Sequence, residues 1–207
     1  MIERGRSLLD SFGQFRWLPE CGIGWYPVQA QPYDDNYWQK YRDYDATLIG
    51  AKLTACRLDL VQQHHRGSVV DIGIGGGRFV RSHPSARGFD VNPSAIEWLC
   101  NASKWTDPRS SIVEAATFWD SLEHIHDPEP MLRNVRRYCF VSLPIFTDCD
   151  HVLRSKHFKT DEHCWYFTRR GIEIFMKQFG FDKLEHCTME QECGREDIES
   201  FVFERAR

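Results

Sequence analysis

Val69-Val70-Asp71-Ile72-Gly73-Ile74-Gly75-Gly76-Gly77-Arg78-Phe79-Val80 decides how this chain folds. A short apolar run passes into glycines and then into an amphipathic stretch, which predicts a strand, a tight turn and a helix. Glycine at 73, 75 and 77 strips the turn of side chains at those positions, so the backbone is free to take positive φ and to lie against a ligand. A second apolar run over residues 86–89 ends at Asp90, 19 residues after Asp71. At the close of a second strand such a carboxylate would face a ribose. The leading Asp71, and a third glycine only two residues after the second, depart from the G-x-G-x-x-G spacing of nicotinamide-binding loops.

The 207 residues suit a single α/β domain, with residues 1–65 as an N-terminal lid and helix and residues 66–207 as a Rossmann-like core. The net charge of −4 provides no global basic field that would favour nucleic acid. A small-molecule substrate is therefore the expected partner, with nucleic acid left open. No run approaches 18 apolar residues, so no membrane span is expected. The eight cysteines form no C-x-x-C pair and follow no leader peptide, which points to reduced thiols in the cytoplasm.

Upstream of the glycine loop, residues 1–32 interleave Phe12, Phe15, Trp17, Trp25 and Tyr26 with Gly and Pro and show no period, so an irregular covering segment is expected. Residues 34–63 read as helical, with Tyr33, Tyr37, Tyr41 and Tyr44 on one face. Those tyrosines either pack the helix on the sheet or form a lid over a ligand. Downstream, a helix is expected from Asn92-Pro93-Ser94 through Ala102. Residues 103–111 are short and polar where a third strand belongs, so that strand is expected to be stunted or missing. Asp107 is there either an adenine-side acid or a solvated turn residue.

Residues 113–119 read as a buried central strand that ends in Asp120-Ser121-Leu122-Glu123-His124. In a doubly wound sheet the carboxyl ends of the strands carry the ligands, so this cluster and the glycine loop should share one cleft. A helix from Pro128 or Pro130 through Arg137, a strand over 138–144, a polar connector over 145–160, a helix capped by Thr168 and ending at Gly180, and two closing strands over 181–187 and 201–204 complete the expected order.

Asp71, Gly73, Gly75 and Gly77 together resemble motif I of class I S-adenosylmethionine-dependent methyltransferases. The resemblance implies that the loop lies under the methionine part of S-adenosyl-L-methionine and that Asp90 binds its ribose hydroxyls. It also places Val91, Trp119 and Asp120 in the cofactor set. Residues 118–128 and 161–168 are similar to the strand-four motif and the later Glu-His-aromatic segment of ubiquinone-biosynthesis-type small-molecule methyltransferases, and methyltransferase-like proteins of bacteria and phages share the run. The function expected is methyl transfer to an oxygen or nitrogen of a small molecule or an accessible polymer end.

Such a transfer needs in-line approach and, where the acceptor must lose a proton, a base; His124, His157 and His163 are the candidates, with Glu123 beside them. Asp120, Glu123, His124 and the distal His163 also resemble the metal motif of 3′-terminal small-RNA 2′-O-methyltransferases, which implies a divalent metal; the alternative is that Glu123 and His124 cap a helix or hold substrate directly. A catalytically silent methyltransferase-fold binding protein is the other class of reading. Nucleic-acid methylation is a third, although neither an Asn/Asp-Pro-Pro-Tyr/Phe motif nor a Pro-Cys nucleophile is present.

Overall fold

The structure, a computed structural model, describes residues 13–28 and 33–206. The expected irregular segment is ordered where described: β1 (Arg16–Leu18) and β2 (Ile23–Trp25) form an antiparallel hairpin. Phe12 and the rest of residues 1–12 and 29–32 lie outside the described residues. The helical stretch is two helices, α1 (Asp35–Ala46) and α2 (Leu48–His64), broken by Thr47. Its hydroxyl donates to the Tyr44 carbonyl at 2.7 Å and accepts from the Gly50 amide at 3.0 Å, so one side chain ends the first helix and starts the second.

The glycine stretch folds as read: β3 (Val69–Ile72), a turn, then α3 (Arg78–Ser82). After β4 (Ala86–Phe89), Asn92 caps α4 (Pro93–Asn101), accepting from Ser94 N at 2.9 Å. The third strand is reduced to one bridge, in which Gly88 bonds Lys104 O and Thr106 N on either side of Trp105. With no further pairing, β4 is left at the sheet edge. Asp107 turns outward onto Arg109, at 2.7 Å from Nη2.

After β5 (Val113–Trp119) and a 3₁₀ turn (Leu122–His124), α5 (Glu129–Asn134) stops three residues before the expected Arg137, because buried Val135 already pairs with Val113 and opens β6 (Val135–Pro144). The connector holds a short helix, α6 (Cys149–Arg154), whose first turn Asp148 caps through His151 N at 2.8 Å. Then come β7 (Trp165–Phe167), α7 (Arg169–Gln178) capped by Thr168, β8 (Phe181–Cys187), α8 (Met189–Glu192) and β9 (Ile198–Arg205).

The main sheet runs β4-β3-β5-β6-β9-β8, parallel except for β9, which is antiparallel to both neighbours. It is a Rossmann-like sheet. Alternation along the strands divides the core: Val70, Ala116, Val141 and Phe201 face α7, while Val69, Ala115, Phe140 and Val202 face Leu60 and Val61 of α2. A smaller sheet, β1-β2-β7, sits over the aromatic cluster of Phe15, Phe146 and Tyr166. Among the described residues no helix is long and apolar enough to cross a membrane.

Candidate active site

The connection from β3 leaves to β4 on one side, and the next connection returns to β5 on the other, so the order reverses between β3 and β5. Ligands of doubly wound sheets bind outside the strand ends at this reversal. The glycine turn after β3 and Asp120 through His124 after β5 flank it.

The glycines of the turn are required for different reasons. Gly73, at φ +76, would drive a Cβ to 2.7 Å from Ser121 Cβ, and Gly76 would meet the Asp45 carboxylate at 2.5 Å. Gly75, at φ +54, is the open one: a Cβ there would meet only Tyr41, at 3.7 Å. That face is therefore the one a ligand can touch. Asp90 borders the turn, its carboxylate accepting from Ile74 N and Asn92 N, both at 2.9 Å. Val91 beside it is exposed. Asp71 lies within the sheet, where it accepts from Thr117 Oγ1 at 2.7 Å; burial raises its carboxyl to about 7.

Tyr41 of α1 stands beside the turn. The residue of α1 that packs on the core is Trp38, which meets Ile74, Val80 and Leu99; the tyrosines do not join that cluster. Tyr33, Tyr37 and Tyr41 are half-buried and contact one another in series, edge to face at 4.7 Å and tilted at 4.9 Å, with a phenol-phenol contact of 3.3 Å between Tyr37 and Tyr41. Burial, with nearby Glu162 and Asp90, raises Tyr33 to about 12. Of the row, Tyr41 is the residue beside Gly75, 3.7 Å from where a Cβ would stand.

Beyond the end of β5, the 3₁₀ turn and the segment before β7 are tied together: Cys164 N donates to Glu123 O at 2.8 Å, and Trp165 Nε1 to Ile125 O at 2.9 Å. These bonds carry His163 to His124, ring centroids 4.6 Å apart. One potential ligand atom each from Glu123, His124 and His163 lies within 4.8 Å of the others. Both Glu123 carboxylate oxygens and His124 Nδ1 are buried without a hydrogen-bond partner among the described residues. Burial pushes Glu123 well above the usual carboxylate range and holds His124 down and His163 at about 2, so both imidazoles are neutral at pH 7. An orphaned buried carboxyl among neutral imidazoles is a donor set a divalent cation fits.

Asp120 does not belong to that set. At φ +53 it turns its carboxylate to Arg195 and Arg57, the latter at 3.5 Å, and although burial opposes ionisation these two guanidinium groups hold it below the usual range. Arg57 also stands 5.1 Å from the Trp119 ring centroid and 2.6 Å from Glu190. Trp119 itself is 6% exposed, with its Nε1 unpartnered among the described residues. The His157 ring is not one of the three, standing 3.2 Å from the Glu196 carbonyl, but its backbone is hydrogen-bonded to the His163 side chain. His64 and His186 are occupied by Glu185 and Glu199, and His65, His83 and His151 by local backbone groups.

Sequence reading overlooked Arg57, Glu190 and Arg195, since no local pattern links them, and Asp45, which crosses from α1 to accept from Arg78 N at 3.0 Å. A spacing rule has no access to pairings across 133 residues, as between Arg57 and Glu190.

Sheet order and the glycine turn at its reversal point define a Rossmann-like domain. The chain belongs to the methyltransferase domain family, whose profile matches residues 38–186. No curated protein matches it. Among solved structures it resembles magnesium protoporphyrin IX methyltransferase from Synechocystis, with bound S-adenosylhomocysteine (13% identity, TM-score 0.60, 84% of this chain and 96% of that one). It also resembles a possible histamine N-methyltransferase from Thermotoga maritima (13%, 0.57, 83% and 97%). A third is the Burkholderia thailandensis 1,6-didemethyltoxoflavin-N1-methyltransferase (14%, 0.56, 94% and 100%). At such identities the likeness establishes the fold.

Proposed function

We propose that the protein transfers the methyl group of S-adenosylmethionine to an oxygen or nitrogen of a small molecule or accessible polymer end. The observation that carries this reading is the open face at Gly75, bordered by Asp90 and roofed by Tyr41, at the sheet's reversal point. Gly73, Gly75 and Gly77 would form the cofactor cradle with Asp71 supporting it from the sheet, Asp90 would accept from the ribose hydroxyls, and Val91, Trp119 and Asp120 would complete the wall. The Synechocystis and Burkholderia structures, both with bound S-adenosylhomocysteine, support the choice of donor.

In the transfer an acceptor lone pair forms the new bond to the methyl carbon while the sulfonium C–S bond breaks, leaving neutral S-adenosylhomocysteine. Positioning supplies most of the rate. Glu123, His124 and His163 stand past the end of β5, neighbour to the strand that bears the glycine turn, where they would orient the acceptor, with His124 the residue to take up a proton it loses. The same three residues would hold a divalent cation, which when bound would lower the pKa of an acceptor hydroxyl. Their neutral imidazoles need shed no proton to bind it, while the Glu123 carboxyl, which burial keeps protonated, would release its proton as the cation bound.

Calorimetry with S-adenosylhomocysteine tests the donor site, and labelled S-adenosylmethionine added to metabolite extracts tests for an acceptor. Binding without turnover in any extract would favour the methyltransferase-fold binding protein. For the cation, elemental analysis and a thermal shift with Mg²⁺, Mn²⁺ or Zn²⁺ are decisive. A rise in Tm that Glu123→Gln and His163→Ala abolish is expected; no metal and no shift would leave the triad as direct substrate contacts.

A further inference from the structure

Cys56 on α2 and Cys193, just past α8, bring their sulfurs to 3.9 Å although 137 residues separate them. All eight cysteines are free thiols. Cys193 is buried and Cys56 half-buried, so only Cys56 offers a route to a reagent. Around this pair, α2 and α8 are already joined: Lys52 Nζ donates to Glu192 O at 3.1 Å, and Arg57, adjacent to Cys56, binds Glu190 at 2.6 Å. Gly194, at φ +88 and with open space where a Cβ would be, follows Cys193 directly.

We infer that Cys56 and Cys193 form a reversible disulfide that fastens the α8 turn to α2 and so clamps the Arg57, Glu190, Arg195 and Asp120 ion-pair cluster beside the cleft. A disulfide sulfur pair stands about 2.05 Å apart, so the sulfurs have only about 1.9 Å to close. With glutathione disulfide as oxidant, the Cys56 thiolate attacks one sulfur of the reagent, forming a mixed disulfide and releasing one glutathione thiolate. Cys193 then gives up its proton and displaces the second glutathione from Cys56. Two protein thiols are oxidised and one glutathione disulfide is reduced to two glutathione thiols. Burial and the neighbouring Cys193 raise the Cys56 thiol, which makes the first step slow at neutral pH and faster as pH rises. The linkage does not depend on the methyltransferase reading.

Purified full-length protein is incubated in glutathione buffers of increasing oxidised fraction, blocked with N-ethylmaleimide and digested with trypsin without reduction. The expected product joins peptide 53–57 to peptide 184–195. Because the second peptide also contains Cys187, the digest is repeated in Cys187→Ser and in Cys193→Ser. Linkage should survive the first and vanish in the second. Oxidised protein should melt about 5 °C or more above the reduced form, and this gain should be absent in Cys56→Ser. Exposed Cys100 serves as the control for oxidant strength. If Cys100 is fully glutathionylated while no 53–57/184–195 product forms, or if the product persists in Cys193→Ser, the inference is overturned.

Discussion

Ser121 occupies the space into which any side chain at position 73 would grow: its Cβ lies 2.7 Å from the ideal Cβ position of Gly73, and its hydroxyl donates to Ile72 O at 2.5 Å. The two strand ends that frame the cleft are thus in direct contact at one glycine. Gly73→Ala should cost roughly 2–4 kcal/mol of stability in urea denaturation, through overpacking against Ser121 and positive φ.

Gly75→Val acts differently, since its Cβ meets open space apart from Tyr41. Positive φ costs it about 1–2 kcal/mol, but the larger effect should be on the ligand. Calorimetry should show S-adenosylhomocysteine affinity reduced more than tenfold in a variant that still unfolds cooperatively. Normal affinity would place the ligand elsewhere.

Asp90→Ala removes both the expected ribose acceptor and the partner of two backbone amides. A loss of about 1–3 kcal/mol in S-adenosylhomocysteine binding is expected. Asp90→Asn retains one acceptor oxygen and should lose less. Equal affinities for the two variants and the parent would remove Asp90 from the site.

Glu190 is fully buried and is satisfied by Arg57 at 2.6 Å and Arg195 at 2.5 Å. Glu190→Ala leaves two guanidinium groups facing Asp120 alone, and Arg195→Ala strips Asp120 of its nearest cation. Each should destabilise by about 3–5 kcal/mol, as breaking a buried pair does. A change under 1 kcal/mol in urea titrations would mean that solvent already screens the cluster.

Asp71 makes stability depend on pH. Its carboxyl is near 7 in the fold and near 3.8 when unfolded, so its contribution is fully present below about 4 and is lost as pH rises through about 7. Asp71→Asn, which keeps an acceptor for Thr117, should therefore raise Tm at pH 8 relative to the parent and leave it nearly unchanged at pH 4. Equal differences at both pH values would contradict a buried, reluctant carboxylate.

Residues 69–82 were legible from sequence alone, because a strand, a glycine turn and a helix start depend on local backbone freedom and apolar periodicity. The loss of the third strand was legible too: residues 103–111 lack the apolar run a buried strand needs, and one bridge at Trp105 is what remains. Short-range pattern also placed Glu123 beside His124 and pointed to His163. What sequence did not determine was the company those residues keep. Asp120 matched a ligand motif by spacing, yet Arg195, 75 residues further on, draws its carboxylate away. That Trp38 and not a tyrosine takes the core position of α1 is likewise set by the docking of that helix on Ile74 and Leu99. Local backbone preference is written in neighbouring residues, whereas the partner of a buried charge or thiol is set by which distant segments the sheet brings together.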